Sequence, residues 1–265
     1  MITDFEPALP RAARLCRVPF VSLNHQHFLR TYDLGSLPFY LLLHAAMMAN
    51  VVRFYCSGQS ETIVSAFYFP PLRRGVRKVT QVGVLLRPQV KNTEPTDEGH
   101  VTAYFRKPMP DFVLHALAGL GCPVHMFGFG QRRRSGPLIF HPIDESGFIQ
   151  NLASSQALIS TAGNQLVGEA LFFGKPVFAI PEERNYEQYI NAHFLRSSGV
   201  GDFCEVREVT SGVLRLFRAN LESYRPQIDR SRLDGLPKVL EILRRHLNRT
   251  QTEGVALLPA VPALS

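Results

Sequence analysis

STAGNQLVGEALFFGKPVFAIP, residues 160–181, is the stretch whose reading decides the fold. Just before and into it, Ala157-Leu158-Ile159-Ser160 is a short apolar run bounded by polar residues, which reads as a buried strand. Thr161-Ala162-Gly163-Asn164 has turn chemistry, and Gln165 to Phe173 reads as a helix. Gly174 just past the helix end and Pro176 beyond it stop that helix, and Val177 to Ile180 follow as a second apolar strand. The unit is strand, turn, helix, strand. Such a turn aims unpaired backbone N–H groups and the positive helix end at the space above the sheet, where a diphosphate can sit. Glu169, roughly one and a half turns further along the helix, can point at whatever that phosphate carries, and a ribose diol would suit a carboxylate acceptor. A glutamate on a helix is more commonly a solvated surface residue, so this unit alone leaves both readings open.

Residues 182–201, EERNYEQYINAHFLRSSGVG, add a polar loop and an amphipathic helix that opens with Glu187-Gln188 and carries Asn191. Gly163, Glu169-Ala170-Leu171, Gly174-Lys175-Pro176, Ile180-Pro181, Glu187-Gln188 and Asn191-Ala192 together form a long and specific string. It resembles the donor-binding domain of the GT-B glycosyltransferases, in particular the branch of the peptidoglycan UDP-N-acetylglucosamine transferase. The resemblance implies that Glu169 binds the nucleotide ribose and Gln188 the sugar hydroxyls. By the same resemblance Ile143 contacts the base, and Thr161, Gly163, Asn164, Gln165, Glu187 and Asn191 complete the donor site. Such proteins often place two adjacent glycines in the turn. Here Ala162-Gly163-Asn164 stands instead, with Asn164 as the residue that tolerates left-handed backbone.

The rest of the chain is expected to be α/β: two Rossmann-like domains, the N-terminal one incomplete. Residues 1–86 read as the later half of an acceptor-side domain. Its helices are Ala8 to Cys16 and Leu37 to Tyr55, and its strands are Pro19 to Leu23, Thr62 to Phe69 and Val79 to Leu86. The openings Asp4-Phe5-Glu6-Pro7, VPFVSLNHQH (18–27) and VGVLLR (82–87) are similar to features of GT-B-like proteins. The polar run RPQVKNTEPTDEG (87–99) reads as a linker, 100–249 as the donor-binding domain and 250–265 as a tail. An N-terminal domain that starts in mid-sheet would leave a strand edge and apolar surface around residues 19–23 and 62–69 uncovered. A second copy or a partner chain is expected to cover them.

Of the 265 residues 45% are hydrophobic and 19% charged, which suits a packed globular chain and excludes a disordered one. The four cysteines, at 16, 56, 122 and 204, show no metal-ligand spacing, so neither a zinc site nor a disulfide frame is expected. The start lacks a cleavable signal pattern, which points to a cytoplasmic chain. The net charge of +7 gathers at Arg73-Arg74, Arg77-Lys78, Arg132 to Arg134 and Arg244-Arg245. Solvated surface is the plain reading; anionic lipid or a phosphorylated substrate is the sharper one, and no reader motif supports nucleic acid. LPFYLLLHAAMMANVV (37–52) is too short and too polar at His44 and Asn50 to span a bilayer, and reads as a buried or membrane-surface helix.

Without a metal, a transferase must neutralise the donor diphosphate with helix N-termini and cations, for which Arg87 and Arg132 are candidates. A general base for the acceptor hydroxyl is sought among Asp4, Glu6, His25 and His27, all just after expected strands. The function expected is metal-independent transfer of a sugar from a nucleotide-sugar, with UDP implied by resemblance, to an unknown and possibly lipid-linked acceptor. No cofactor is expected beyond the donor itself. Two alternatives stay open: a nucleotide-sugar 2-epimerase, and a non-catalytic donor-binding half of a split transferase.

Overall fold

The computed structural model describes residues 1–142 and 144–255. The first part holds β1 (Ile2–Thr3), α1 (Ala8–Leu15), β2 (Val21–Asn24), α2 (Phe28–Thr31), α3 (Phe39–Tyr55), β3 (Glu61–Ser65) and β4 (Val79–Val82). Its strands pair in parallel in chain order, β1-β2-β3-β4. A short helix, α4 (Pro88–Lys91), opens the polar stretch that leads to the second part. There follow β5 (Val101–Tyr104), α5 (Asp111–Ala118), β6 (Val124–Phe127), β7 (Leu138–Phe140), α6 (Glu145–Ser154), β8 (Ala157–Ser160), α7 (Asn164–Phe172) and β9 (Val177–Ala179). The chain closes with α8 (Tyr186–Ser197), β10 (Gly201–Phe203), α9 (Ser211–Ala219), α10 (Leu221–Tyr224) and α11 (Leu236–Val255).

The second sheet is also parallel, with order β10-β9-β8-β5-β6-β7. The chain runs from β5 outward through β7 and then returns to the other side of β5. The strand order therefore reverses between β5 and β8, where an open α/β sheet leaves a crevice at its carboxyl edge. Two α/β domains with parallel sheets flanked by helices thus follow one another. Every residue of β3 and β8 is buried, as expected for strands covered on both faces.

The closing helix crosses back. Val239 and Ile242 of α11 pack on Val21, Ile63 and Val82 of the first sheet, and Arg245 Nη2 donates to Glu61 at 2.6 Å. This helix, with α3 and the shared core, covers the strands that the sequence reading leaves bare: Val21, Ile63, Val64 and Phe67 are all buried. In the first part most of the exposed large apolar side chains lie on α1 and α3, with Met1, Ile2 and Val18 at and beside the β1 edge. Residues 256–265 and Ile143 lie outside the described residues, whereas α11 itself continues to Val255.

The two domains share one core, in which Val84 after β4 meets Val167, Ala170 and Leu171 of α7. The approach is closest at Gly168, where an added Cβ would fall inside van der Waals contact of both Val84 methyls. Behind the first sheet's carboxyl edge, Asn24 Oδ1 accepts from the His27 backbone N–H and from its Nδ1–H, each at 3.0 Å. Gln59 Nε2 donates to His27 Nε2 at 3.2 Å. The neutral ring is thus satisfied on both sides, and burial, helped by the nearby Arg30, pushes its pKa down to about 4.

Two expectations follow from this packing. Gly168→Ala should lower stability by about 1–3 kcal/mol through overpacking, with most of the loss recovered in Gly168→Ala/Val84→Ala, as read from urea midpoints. An unchanged midpoint in the single variant would show that α7 does not press on Val84. Because the folded pKa of His27 lies below its unfolded value near 6.5, its contribution is whole above that pH. It is lost as the pH falls from about 6.5 to about 4, by up to about 3 kcal/mol. His27→Gln should flatten the pH dependence of unfolding in that window.

Candidate functional site

The carboxyl ends of both sheets open on one cleft. A cavity of about 470 Å³ is lined by Phe5 after β1, Gln26 after β2 and His44 of α3 on one side. Arg106 and Lys107 after β5 and the Glu182–Glu187 loop after β9 line the other. His44 stacks on Tyr186 at 3.7 Å between ring centres, which closes the cleft at α3 and α8.

The turn after β8 is the sharpest feature. Ala162, fully buried, takes φ +64°, so the left-handed position falls on Ala162 and not on Asn164, which is already the first helical residue. A left-handed alanine costs of order 1 kcal/mol, and such strain is kept where the surroundings fix it. Here Asn191 Nδ2 fixes it by donating to the Ala162 carbonyl at 3.0 Å. Gly163 then caps α7 with no side-chain acceptor and with open space where a Cβ would be, so the first-turn N–H groups of α7 have no side-chain cap. Asn164 turns away from them: its Oδ1 accepts from Phe67 N at 3.2 Å and its Nδ2 donates to the Ser65 carbonyl at 3.1 Å.

Glu169 is not a solvated helix residue. It is 1% exposed and lines a second cavity of about 480 Å³ with Tyr104, Phe127 and Phe148. Phe148 stands edge-on to both other rings, at 5.7 and 5.0 Å between centres. Arg87 grips the carboxylate bidentately, Nε to Oε1 at 2.9 Å and Nη2 to Oε2 at 2.6 Å, while its Nη1 reaches Glu145 at 2.7 Å. Gln165 Nε2 adds a further bond to Oε1 at 2.9 Å and also donates to the Leu85 carbonyl. Three donors leave roughly one of the carboxylate's four lone-pair positions open. Arg87 thus stands at the acid and not at the α7 N-terminus. Arg132 is exposed, with its guanidinium over the rings of Phe129 and Phe140 at 5.4 and 5.9 Å and its Nε on the Phe129 carbonyl.

Between the cavities lies a buried polar seam. Gln188 Oε1 accepts from Glu182 N at 2.7 Å and its Nε2 donates to Thr161 Oγ1 at 3.3 Å, tying the loop after β9 to the turn after β8. Asn191 Oδ1 accepts from Tyr68 O–H at 3.0 Å. Both ring nitrogens of His25 face oxygens: the Ser65 carbonyl at 2.9 Å, and Asn191 Oδ1 at 3.3 Å with Glu187 at 3.9 Å. Burial lowers the His25 pKa against the opposing pull of Glu187. Ser160 Oγ and Glu182 Oε1, at the carboxyl ends of β8 and β9, are buried with no partner among the described residues. Such atoms are costly unless something bonds to them. Glu182 Oε2 takes Lys107 Nζ at 2.7 Å, with Arg106 at 3.8 Å.

Of the acids near β1, Glu6 accepts from the Ala8 and Leu9 N–H groups and so caps the start of α1. Asp4 is exposed, and among the described residues its carboxylate accepts only from Phe5 N, beside the cleft that Phe5 lines. Ile143 lies outside the described residues. Sequence reasoning missed Arg106, Lys107 and Tyr68. The position just after β5, the strand at which the order reverses, is the signal that finds the first two. Among the described residues no group of three or more His, Cys, Asp or Glu is placed to hold a metal ion.

Similarity to known proteins agrees with this geometry. An uncharacterized glycosyltransferase of Methanosarcina mazei is 31% identical over 105 residues, covering 37% of this chain and 28% of that protein. One of Methanosarcina acetivorans is 27% identical over 185 residues, covering 66% and 45%. The chain thus spans less than half the length of these curated relatives. Among solved structures, the glycotransferase of kitacinnamycin superposes with a TM-score of 0.64 at 13% identity, over 92% of this chain and 75% of that one. LpCGTa in complex with UDP superposes with a TM-score of 0.59 at 18% identity, over 88% and 68%. These likenesses establish the two-domain GT-B fold. They do not place the chain in the peptidoglycan-transferase branch: the profile that matches residues 1–222 is that of another family. The string that suggested the peptidoglycan branch lies in the turn after β8, in α7 and in α8, elements that belong to the shared fold, so it does not separate branches. Matched over 222 of its 265 residues by the profile of glycosyl transferase family 1, the chain belongs to that family.

Proposed function

We propose that this protein transfers a sugar from a nucleotide-sugar, of the UDP type, to an acceptor hydroxyl without a metal ion. The observation that carries the reading is the uncapped N-terminus of α7 behind the strained Ala162 turn, beside an aromatic cavity that ends in the buried Glu169 carboxylate. The helix end suits a diphosphate, the ring-lined cavity a base, and the open lone pair of Glu169 a ribose hydroxyl. Ser160 Oγ and Glu182 Oε1 give sugar hydroxyls two buried partners, with Gln188 holding the loops that present them. UDP as the nucleotide is supported by the UDP bound to LpCGTa, whose fold this chain shares.

On the acceptor side, Phe28, Leu29, Met48 and Val52 give the interdomain cavity an apolar wall under a rim of Arg106 and Lys107. An acceptor with an apolar body, including a lipid-linked one, fits that wall. Arg106 and Lys107 take the phosphate role first sought at Arg87 and Arg132, since they stand at the crevice where the strand order reverses. Asp4 is the candidate base, because Glu6 is spent on α1 and both nitrogens of His25 already face oxygens. A partner chain or second copy at the β1 edge, and a cytoplasmic setting, belong to the same reading.

Glu169→Gln should weaken UDP binding by about 1.5–3 kcal/mol in calorimetric titration, the scale of hydrogen bonds to a charged group. Arg87→Ala should instead lower the melting temperature, by stranding a buried carboxylate, while leaving the UDP contact of Glu169 in place. Equal UDP affinity in wild type and Glu169→Gln would reduce the pair to a structural clamp. Lys107→Ala should cost sugar transfer more than it costs UDP binding to the α7 turn. A donor that binds tightly in the wild type but is never turned over, with any acceptor offered, would favour a binding half over a transferase.

A further inference from the structure

Helix α3 is apolar on every side. Leu41, Ala45 and Val52 are buried against the first domain, and His44, Met48 and Val52 line the cleft. On the opposite face Phe39, Leu43, Met47, Val51 and Phe54 recur at spacings of four and three residues, with Phe39 80% and Phe54 69% exposed. A helix hydrophobic all round normally lies in a core or against lipid, and a stripe of this kind on a soluble surface marks an interaction site. Yet no helix among the described residues is long and apolar enough to cross a membrane.

Cations border the stripe. Arg11 of α1 lies 4.4 Å over the Phe54 ring, and Arg14 reaches Ser57 just past the end of α3. Arg11, Arg14 and Arg53 line one surface cavity of about 350 Å³ beside Phe54. None of the three makes an ion pair among the described residues. Neither α1 nor α3 carries an acid. Leu9 and Leu15 of α1 extend the apolar surface.

We propose that the α1–α3 face is a peripheral docking surface for a bilayer rich in anionic lipid, with α3 lying in the interface plane and the three arginines on lipid phosphates. The charge pattern selects this occupant. A two-fold contact between copies of the chain through this face would set its unpaired arginines near one another with no acid on either helix to meet them. A bilayer supplies both what the stripe lacks, an apolar boundary layer, and what the arginines lack, a dense field of phosphates. Since the same helix walls the cleft from behind, docking would bring the acceptor cavity to within about one helix diameter, roughly 10–12 Å, of the lipid. The docking proposal does not depend on the donor assignment.

The test is co-sedimentation of the full chain with vesicles of phosphatidylcholine alone or mixed with phosphatidylglycerol, at low and high salt. Binding is expected to the mixed vesicles, to be screened by salt, and to weaken roughly fivefold for each of Arg11→Gln and Arg53→Gln. Met47→Glu, at an exposed position, should abolish it with the melting temperature and UDP affinity unchanged. No sedimentation with either vesicle, or equal binding to both with no effect of Met47→Glu, overturns the proposal. So does a wild-type dimer in analytical ultracentrifugation that Met47→Glu converts to monomer without any vesicle binding, which would assign the face to a second copy. If a variant fails to fold, the lipid and salt dependence of the wild type decides alone.

Discussion

Two asparagines, the half-buried Asn164 and the fully buried Asn191, hold the site together across the domain boundary. Asn164 spends both ends of its amide on Phe67 and Ser65 of the first domain, and Asn191 takes the Tyr68 hydroxyl on one side and props the Ala162 carbonyl on the other. The left-handed Ala162 and the bare start of α7 persist because these bonds over-determine them. Ser65 is a common anchor: its carbonyl accepts from Asn164 and faces His25, so the ends of β2 and β3 and the starts of α7 and α8 are one hydrogen-bonded assembly. A polar seam this deep is fixed in geometry because any unpaired member would carry the full cost of desolvation.

The seam explains the division of labour among the acids and amides of the cleft. Gln188 and Asn191, which the sequence offers as ligand contacts, also hold the loops in place, whereas Ser160 and Glu182 retain buried atoms with no partner among the described residues. Glu169 stands between these cases. Its carboxylate is gripped by Arg87 from the segment that joins the domains, so any ligand hydroxyl reaching it also touches the joint. In the proposed donor site, ligand binding and the relative placement of the two domains would be linked through this one ion pair, whose third arm is Glu145 at the start of α6.

The sequence by itself determined the strand-turn-helix-strand unit at 157–180, the second helix carrying Gln188 and Asn191, and the α/β class. These are local: apolar runs, a glycine stop and a proline leave few alternatives, and the observed elements fall within a residue or two of the pattern. It also marked Glu169 and α3 as unusual. Only the tertiary structure decided which branch-neutral residues become contacts and which become struts, because that depends on partners about 100 or more residues away, as with Asn164 to Ser65 and Asn191 to Tyr68. The return of α11 onto the first sheet, the pairing of Arg87 with Glu169 and the left-handed Ala162 were likewise invisible in one dimension. Each is fixed by close approach between distant segments, and no periodicity or turn signal along the chain encodes such an approach.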